Sequence, residues 1–385
     1  MITRKAFLYR LYPNKIQTVK LDGLLNIARE LYNASLQERR DAYKMQGKSL
    51  NYYDQAKELK ELRLVIPEVT QLNYGASQGI LRRLDKAFQA FFRRLKQGEK
   101  PGYPRFKGRN RFNSITFPSY QNKDGVHIKG NRLQIQNVGL LKIRMHRSLE
   151  GQIKTVTIKR DCGKWYAVFS NTVEIEQLPY SDKQVGIDVG IESFAVTSDG
   201  EFIENPHYLK ISQRRLRVSQ RKVSRRKKGS HNRRKAVKLL AKQHLKIRNQ
   251  RKDFAHKVSQ KIVDTYGFIA VEDLHINNMV RNHHLAQSIN DAGWGDFLSL
   301  LSYKAEWAGR ELAKVKPHGT SQMCSVCGLK VPKDLSVRIH HCPNCGISLH
   351  RDFNAALNIL ALGRSVWDVT CDSSQCVSQE AVSFS

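Results

Sequence analysis

Gln184-Val185-Gly186-Ile187-Asp188-Val189-Gly190 sets one carboxylate inside a run of apolar residues and glycine. Such a run reads as a strand covered on both faces, the pattern of a parallel sheet. An acid placed there is costly unless a cation meets it. Working outward, SFAVTSDGEFIE (193–204) and YGFIAVEDL (266–274) read as further buried strands of a βαβ-type arrangement that begins near Lys183. The second of these closes on another acid, Glu272, beside Asp273. A third acid, Asp352, follows His350-Arg351 and opens the helical stretch DFNAALNILAL (352–362). Taken singly, Glu272 reads as a strand-end charge and Asp352 as a first-turn acid. Taken together the three fit one design, because in-line cleavage of a phosphodiester uses two divalent cations about 3.5–4 Å apart held by carboxylates from separate elements. Magnesium suits such an oxygen-rich site.

Between the second and third acids lies Cys324-x-x-Cys327, followed after 14 residues by Cys342-x-x-Cys345, with Gly328 and Gly346 behind the pairs. Two such knuckles supply four thiolates to one tetrahedral zinc, and a closed site of this kind holds structure without offering a position to water. His340, His341 and His350 lie nearby, but the cysteine set is complete without them. Cys162, Cys371 and Cys376 read as free thiols.

The 385 residues carry 66 Lys and Arg against 34 Asp and Glu, a formal charge of +32, which makes a polyanion the leading partner. No apolar stretch of 18 residues and no signal peptide is found, so the reading is of a soluble protein in the cytoplasm with no membrane partner. The charge is concentrated: Lys210–Lys257 holds 20 Lys or Arg and a single acid, Asp253, with Gly229-Ser230 dividing it into two predicted helices. Val237, Leu240, Ile247, Phe254 and Val258 give the second helix an apolar stripe. Twenty cations with one acid repel one another, so bound phosphate is the better account of Arg214–Lys252, and of Arg225-Arg226-Lys227-Lys228 within it. Upstream, Thr3–Leu11 alternates as a strand and stops at Tyr12-Pro13-Asn14, residues from about 15 to 96 have helical spacing, and those from about 111 to 180 are strand-like. The last 21 residues, from Ser365, lack Lys and Arg and are expected to be a disordered tail.

The ordered series GIDVG (186–190), VSRRKKGS (223–230), DFAHKVS (253–259), VEDL (271–274), LAQSINDAGWGDF (285–297), TSQMCSVCG (320–328) and CPNCGISLHRDFNAALNIL (342–360) resembles the TnpB (OrfB) family of transposon-encoded proteins. FLYRLYPNKIQ (7–17) and LYNASLQERRDAY (31–43) match the family's N-terminal pattern, so the resemblance covers roughly residues 1–363. It implies an α/β multidomain protein: an RNase H-like (RuvC-type) nuclease domain at 181–316, an inserted zinc ribbon at 317–350, a last nuclease helix at 351–364 and a tail at 365–385. Before these it implies a helical recognition lobe at 15–110 and a β-rich wedge domain made of residues 1–14 and 111–180. Asp188, Glu272 and Asp352 match the family's catalytic Asp, Glu and Asp. The implied activity is RNA-guided cleavage of double-stranded DNA, with one zinc, two magnesium ions and a guide RNA transcribed from the end of the transposable element. By position Tyr52, Gln78 and Tyr120 become candidates for reading bases, and Arg338, between the zinc knuckles, for lying over the scissile phosphate.

Two other functions are compatible with parts of the sequence. A transposase that joins strands without RNA can use the same three carboxylates. A zinc-ribbon regulator that binds nucleic acid without cutting it would leave Asp188 buried to no purpose.

Overall fold

The computed structural model describes residues 1–109, 111–120, 125–317, 319–334 and 337–373, the side chains of 367–373 excepted. They form two compact units, residues 2–174 and residues 175 onward together with Met1.

The first unit starts with β1 (Ile2–Tyr12), whose alternation buries Phe7, Tyr9 and Leu11 on one face. Asn14 then caps α1 (Lys15–Gln46): its side chain accepts from the Gln17 amide at 2.8 Å, and the Gln17 side chain accepts from the Asn14 amide at 3.1 Å. Helices α2 (Tyr52–Val65) and α3 (Tyr74–Lys96) pack with it around buried Arg39, which donates to Gln55 at 2.8 Å and pairs with Asp85 at 3.1 Å. Six strands follow: β2 (Ser114–Phe117), β3 (Val126–Lys129), β4 (Arg132–Ile135), β5 (Gly139–Arg144), β6 (Gln152–Asp161) and β7 (Lys164–Glu174). They join β1 in a seven-stranded sheet of order β2-β6-β7-β1-β5-β4-β3. β1 is therefore interior, paired antiparallel with β7 from Ile2↔Glu174 to Leu11↔Trp165 and with β5 beyond Arg10↔Arg144. The sheet ends at Glu174, short of the expected limit near 180.

In the second unit, β8 (Gln184–Val189), β9 (Ser193–Thr197) and β10 (Phe202–Glu204) form an antiparallel meander. The cationic segment follows as α4 (Tyr208–Ser224) and α5 (His231–Thr265), which pack on each other. Next come β11 (Phe268–Glu272), α6 (Ile276–Met279), α7 (Ala286–Ala292), α8 (Trp294–Ala308) and β12 (Glu311–Val315). β11 runs parallel to both β8 and β12, giving a five-stranded order β10-β9-β8-β11-β12. One face of this sheet buries Val185, Ile187, Phe194, Ile269 and Val271 against Ala255 and Ile262 of α5 and Phe297 and Leu301 of α8. A two-stranded ribbon, β13 (Ile339–His341) and β14 (Ser348–His350), leads into α9 (Arg351–Ser373), whose Ile359 and Leu360 pack on Phe268, Ala270 and Val315 of the opposite face.

Two sequence expectations change. α9 continues through Ser373, nine residues into the expected tail, because residues 364–373 hold neither Gly nor Pro and loss of Lys and Arg does not end a helix; the rest of that tail, with Cys376, lies outside the described residues. The apolar stripe of α5 is buried only toward its C-terminal part: Ile247 is 4% exposed, whereas Val237 is 46% exposed, because the sheet extends beneath Ala255, Ile262 and Val263 and not beneath the first turns. Among the described residues, no helix is long and apolar enough to cross a membrane.

Candidate active site and metal centre

The register of β8 and β11 places two of the acids. Pairs run from Phe268↔Gln184 to Val271↔Ile187, so the next step sets Glu272 beside Asp188 at the carboxyl ends of two parallel strands. Side chains alternate along a strand, which puts Asp188 on the face of Gly186 and Glu272 on the face of Ala270. That is the face covered by α9. Gly186 is where the helix comes closest: a Cβ there would stand 2.1 Å from the Ala356 carbonyl oxygen and 2.6 Å from the Leu360 nitrogen. Any side chain would lift α9 off the sheet. One turn back from Ala356 is Asp352, in the first turn of α9, and it is brought to the same end of the strands.

The electrostatics reflect this meeting. Burial pushes the Asp188 carboxyl well above the usual carboxylate range, neighbouring Glu272 and Asp352 add to the rise, and Arg351 and the Val189 amide oppose it. Burial also raises Glu272, against a hydrogen bond from Thr320, whose hydroxyl donates to Glu272 Oε1 at 2.6 Å. Arg338 pairs with Glu192 at 2.8 Å and stands 4.0 Å from Asp352, so it is neither a free surface charge nor a group engaged only with the acids. Three carboxylates sharing negative charge at one strand end form a donor set for hard divalent cations.

Beside them the four cysteine sulfurs lie within 4.8 Å of one another, with Cys324 to Cys345 at 3.6 Å and Cys327 to Cys342 at 3.5 Å. Tetrahedral zinc with bonds of about 2.3 Å wants sulfurs roughly 3.8 Å apart, so the residues fit zinc. The two halves repeat one local design. Cys324 N donates to Leu329 O at 2.9 Å and Gly328 N to Cys324 O at 3.0 Å; Cys342 N donates to Ile347 O and Gly346 N to Cys342 O, both at 2.9 Å. Gly328 (φ +73) and Gly346 (φ +74) take the left-handed turn that closes each knuckle. His340 and His350 are elsewhere engaged: His340 is fully buried with its Nδ1 against Lys333, and His350 Nδ1 accepts from the Asp352 amide at 3.3 Å.

The sequence reading passed over the residues that fasten ribbon to helix. Asn354, fully buried on α9, donates to Met323 O at 2.7 Å and accepts from Ser325 N at 3.0 Å. Asn358 donates to the carbonyls of Thr320 and Met323, both at 2.7 Å. Two asparagines four apart in the otherwise apolar run 353–362 are the available signal.

The cationic candidates divide. Arg225, Arg226, Lys227 and Lys228 form the exposed connection at the tip of the α4–α5 hairpin, while Arg233 is spent closing it, donating to Val223 O at 2.7 Å and Arg226 O at 3.1 Å. In the first unit, the Tyr120 hydroxyl accepts from the Ile128 amide at 3.1 Å. Tyr52, at the start of α2, carries the Arg82 guanidinium 5.0 Å above its ring, and Gln78 is half-buried on α3.

Residues 167–283 match the IS605 OrfB family described as "Probable transposase", residues 294–359 match "Cas12f1-like, TNB domain", and residues 1–48 match a family described as "Helix-turn-helix domain". That last stretch is one strand and one long helix here. A Streptomyces pristinaespiralis protein named "Putative RNA-guided DNA endonuclease" is 35% identical over 369 residues, covering 94% of this chain and 89% of its own. "Putative RNA-guided DNA endonuclease InsQ" of Escherichia coli K12 is 29% identical over 384 residues, covering 94% and 93%. A solved structure titled "Cryo-EM structure of the Cas12f1-sgRNA-target DNA complex" shares the fold at a TM-score of 0.59 and 19% identity, covering 90% of this chain and 82% of its own. With more than a third of its residues shared across nearly the whole of the Streptomyces protein, the chain belongs to the TnpB (OrfB) family.

Proposed function

We propose that this chain is an RNA-guided DNA endonuclease encoded by a transposable element, and that Asp188, Glu272 and Asp352 hold two magnesium ions for phosphodiester hydrolysis. The observation that carries this reading is the meeting of the three acids at one end of β8, β11 and α9, with two of the carboxyls raised. A three-stranded meander followed by two parallel strands supports taking residues 181–316 as an RNase H-like, RuvC-type domain, completed by α9 after the inserted zinc ribbon. Bound there, the ions would activate a water and stabilise the leaving oxygen. The chain's own part is positional. β8 and β11 fix the spacing of Asp188 and Glu272, α9 sets Asp352 against them, and Arg338 contributes positive charge at the edge of the site.

In the same reading the seven-stranded sheet is the wedge domain and α1 to α3 the recognition lobe, with Tyr52, Gln78 and Tyr120 as candidates for reading the motif beside the target. The hairpin tip Arg225–Lys228 tracks phosphates of a guide–target hybrid, which a protein recognises through its A-form backbone. The guide is an RNA from the end of the element, and the target is double-stranded DNA.

The test is cleavage by the purified particle before and after its RNA is removed, with that RNA sequenced. Cutting should require the RNA and magnesium, and Asp188→Ala, Glu272→Ala and Asp352→Ala should each drop it to background while RNA stays bound. Sequence-specific cutting or strand joining by the RNA-free chain would overturn the guided reading in favour of a transposase.

A further inference from the structure

Thr320 lies five residues past the end of β12 and four before the first zinc ligand, and it is 7% exposed. Its two polar groups point in different directions. The hydroxyl donates to Glu272 Oε1 at 2.6 Å, a length typical of a hydroxyl bound to an ionised carboxylate. Its carbonyl accepts from Asn358 of α9 at 2.7 Å. Three residues on, the Met323 carbonyl accepts from both Asn354 and Asn358 at 2.7 Å, and Cys324 follows directly. The segment from Thr320 to Cys324 is thus tied at one end to a carboxylate of the candidate site, in its middle to the helix that carries Asp352, and at its other end to the zinc knuckle.

We infer that Thr320 is a positioning residue for the nuclease reaction, its hydroxyl fixing the Glu272 carboxylate in the orientation that a divalent ion requires and linking that orientation to the folded zinc ribbon. A carboxylate at a strand end can rotate, and one hydrogen bond to Oε1 leaves Oε2 as the oxygen free to meet an ion. Groups of this kind, one bond removed from the ion, typically change metal affinity by about 10- to 100-fold when removed. The inference rests on the reading of Glu272 as a metal ligand.

The experiment is Mn²⁺ binding to the zinc-replete ribonucleoprotein, followed by electron paramagnetic resonance and taken as the difference from an Asp188→Ala particle, so that ions held by the RNA cancel. Zinc content is checked for every variant. Thr320→Val keeps the shape and removes the hydroxyl; it should weaken the site's Mn²⁺ affinity by roughly tenfold. The magnesium concentration for half-maximal cutting should rise by a similar factor, with much of the rate recovered at saturation. Thr320→Ser should restore both. Should the Val variant lose its zinc, Thr320→Ala and the Ser variant make the same comparison. If Ser binds as poorly as Val, or if Val or Ala binds like the native chain while Glu272→Gln does not, the inference is overturned and the metal-ligand reading stands. If Glu272→Gln itself binds Mn²⁺ like the native chain, it is the reading of Glu272 that falls.

Discussion

Asp291 holds Arg251 at 2.6 Å and, with the same carboxylate, accepts from the amides of Leu209 at 2.9 Å and Lys210 at 3.2 Å. One buried acid in the last turn of α7 thereby closes the N-terminus of α4 and ties α5 beside it, anchoring the base of a hairpin that otherwise carries almost nothing but positive charge. Its placement at a helix N-terminus adds the favourable end of the helix dipole.

Asp291→Ala should therefore loosen the hairpin as a whole. Losing charge-assisted hydrogen bonds costs about 1.5–3 kcal/mol each at most, and because Arg251 can turn to water the total expected here is roughly 2 kcal/mol. Hydrogen exchange would show faster opening at the first turn of α4, with α8 and β11 little changed.

The raised carboxyls give a pH dependence with a definite sign. Asp188 and Glu272 have folded pKa values above their ordinary ones, so their contribution to stability is intact below the usual carboxylate range and is lost as pH climbs through the raised values. Without divalent ions, the native chain should be less stable near neutrality than Asp188→Asn, and the difference should close as the pH is lowered into the carboxylate range. Adding magnesium should raise the melting temperature of the native chain much more than that of the variant. Thermal melts in zinc-containing, magnesium-free buffer measure both.

Cys342 is fully buried at the four-cysteine cluster, and structural zinc supplies the folding energy of small ribbons. Cys342→Ser should reduce bound zinc and expose residues 319–350 to proteolysis. Cleavage should fall with it, because Asn354 and Asn358 lose the backbone they hold. Metal analysis of the native chain finding well under one zinc would refute the ribbon.

Neutralising Arg225, Arg226, Lys227 and Lys228 together should weaken nucleic-acid binding in a salt-dependent way, lowering the slope of log K against log salt by roughly two to four units. Target sequence preference should not change, since backbone contacts position the nucleic acid without reading it. An unchanged slope would remove the hairpin tip from the interface.

Much of the site was legible because its chemistry is local. Asp188 stands out in an apolar strand, and four cysteines at fixed spacing declare themselves. What stayed hidden depends on three-dimensional partners. Thr320 looks like any threonine before a knuckle until β11 brings Glu272 to it, and Asp291 looks like a surface acid until α4 starts upon it. Helical periodicity suggested a full apolar stripe on α5, but periodicity says which residues share a face and not how far a neighbour extends beneath them, so Val237 ended exposed. Composition misjudges the end of α9, since a lack of Lys and Arg does not set backbone preference.

β1 lies between β7 and β5, and its partner Glu174 is more than 170 residues from Ile2 along the chain. During synthesis the centre of that sheet is made first and its flanks last, so residues 2–12 must wait with Phe7, Tyr9 and Leu11 uncovered until residues 164–174 have left the ribosome. At about 5–20 residues per second the wait is on the order of ten to thirty seconds. For that interval the strand is a template with two open edges and one apolar face, its sequence interrupted by Lys5 and Arg10. Pairings so distant in sequence also fold slowly. Production of this protein should accordingly respond to slower translation and to chaperones that shield β1 more than to changes in the hairpin or the ribbon, which close on near neighbours.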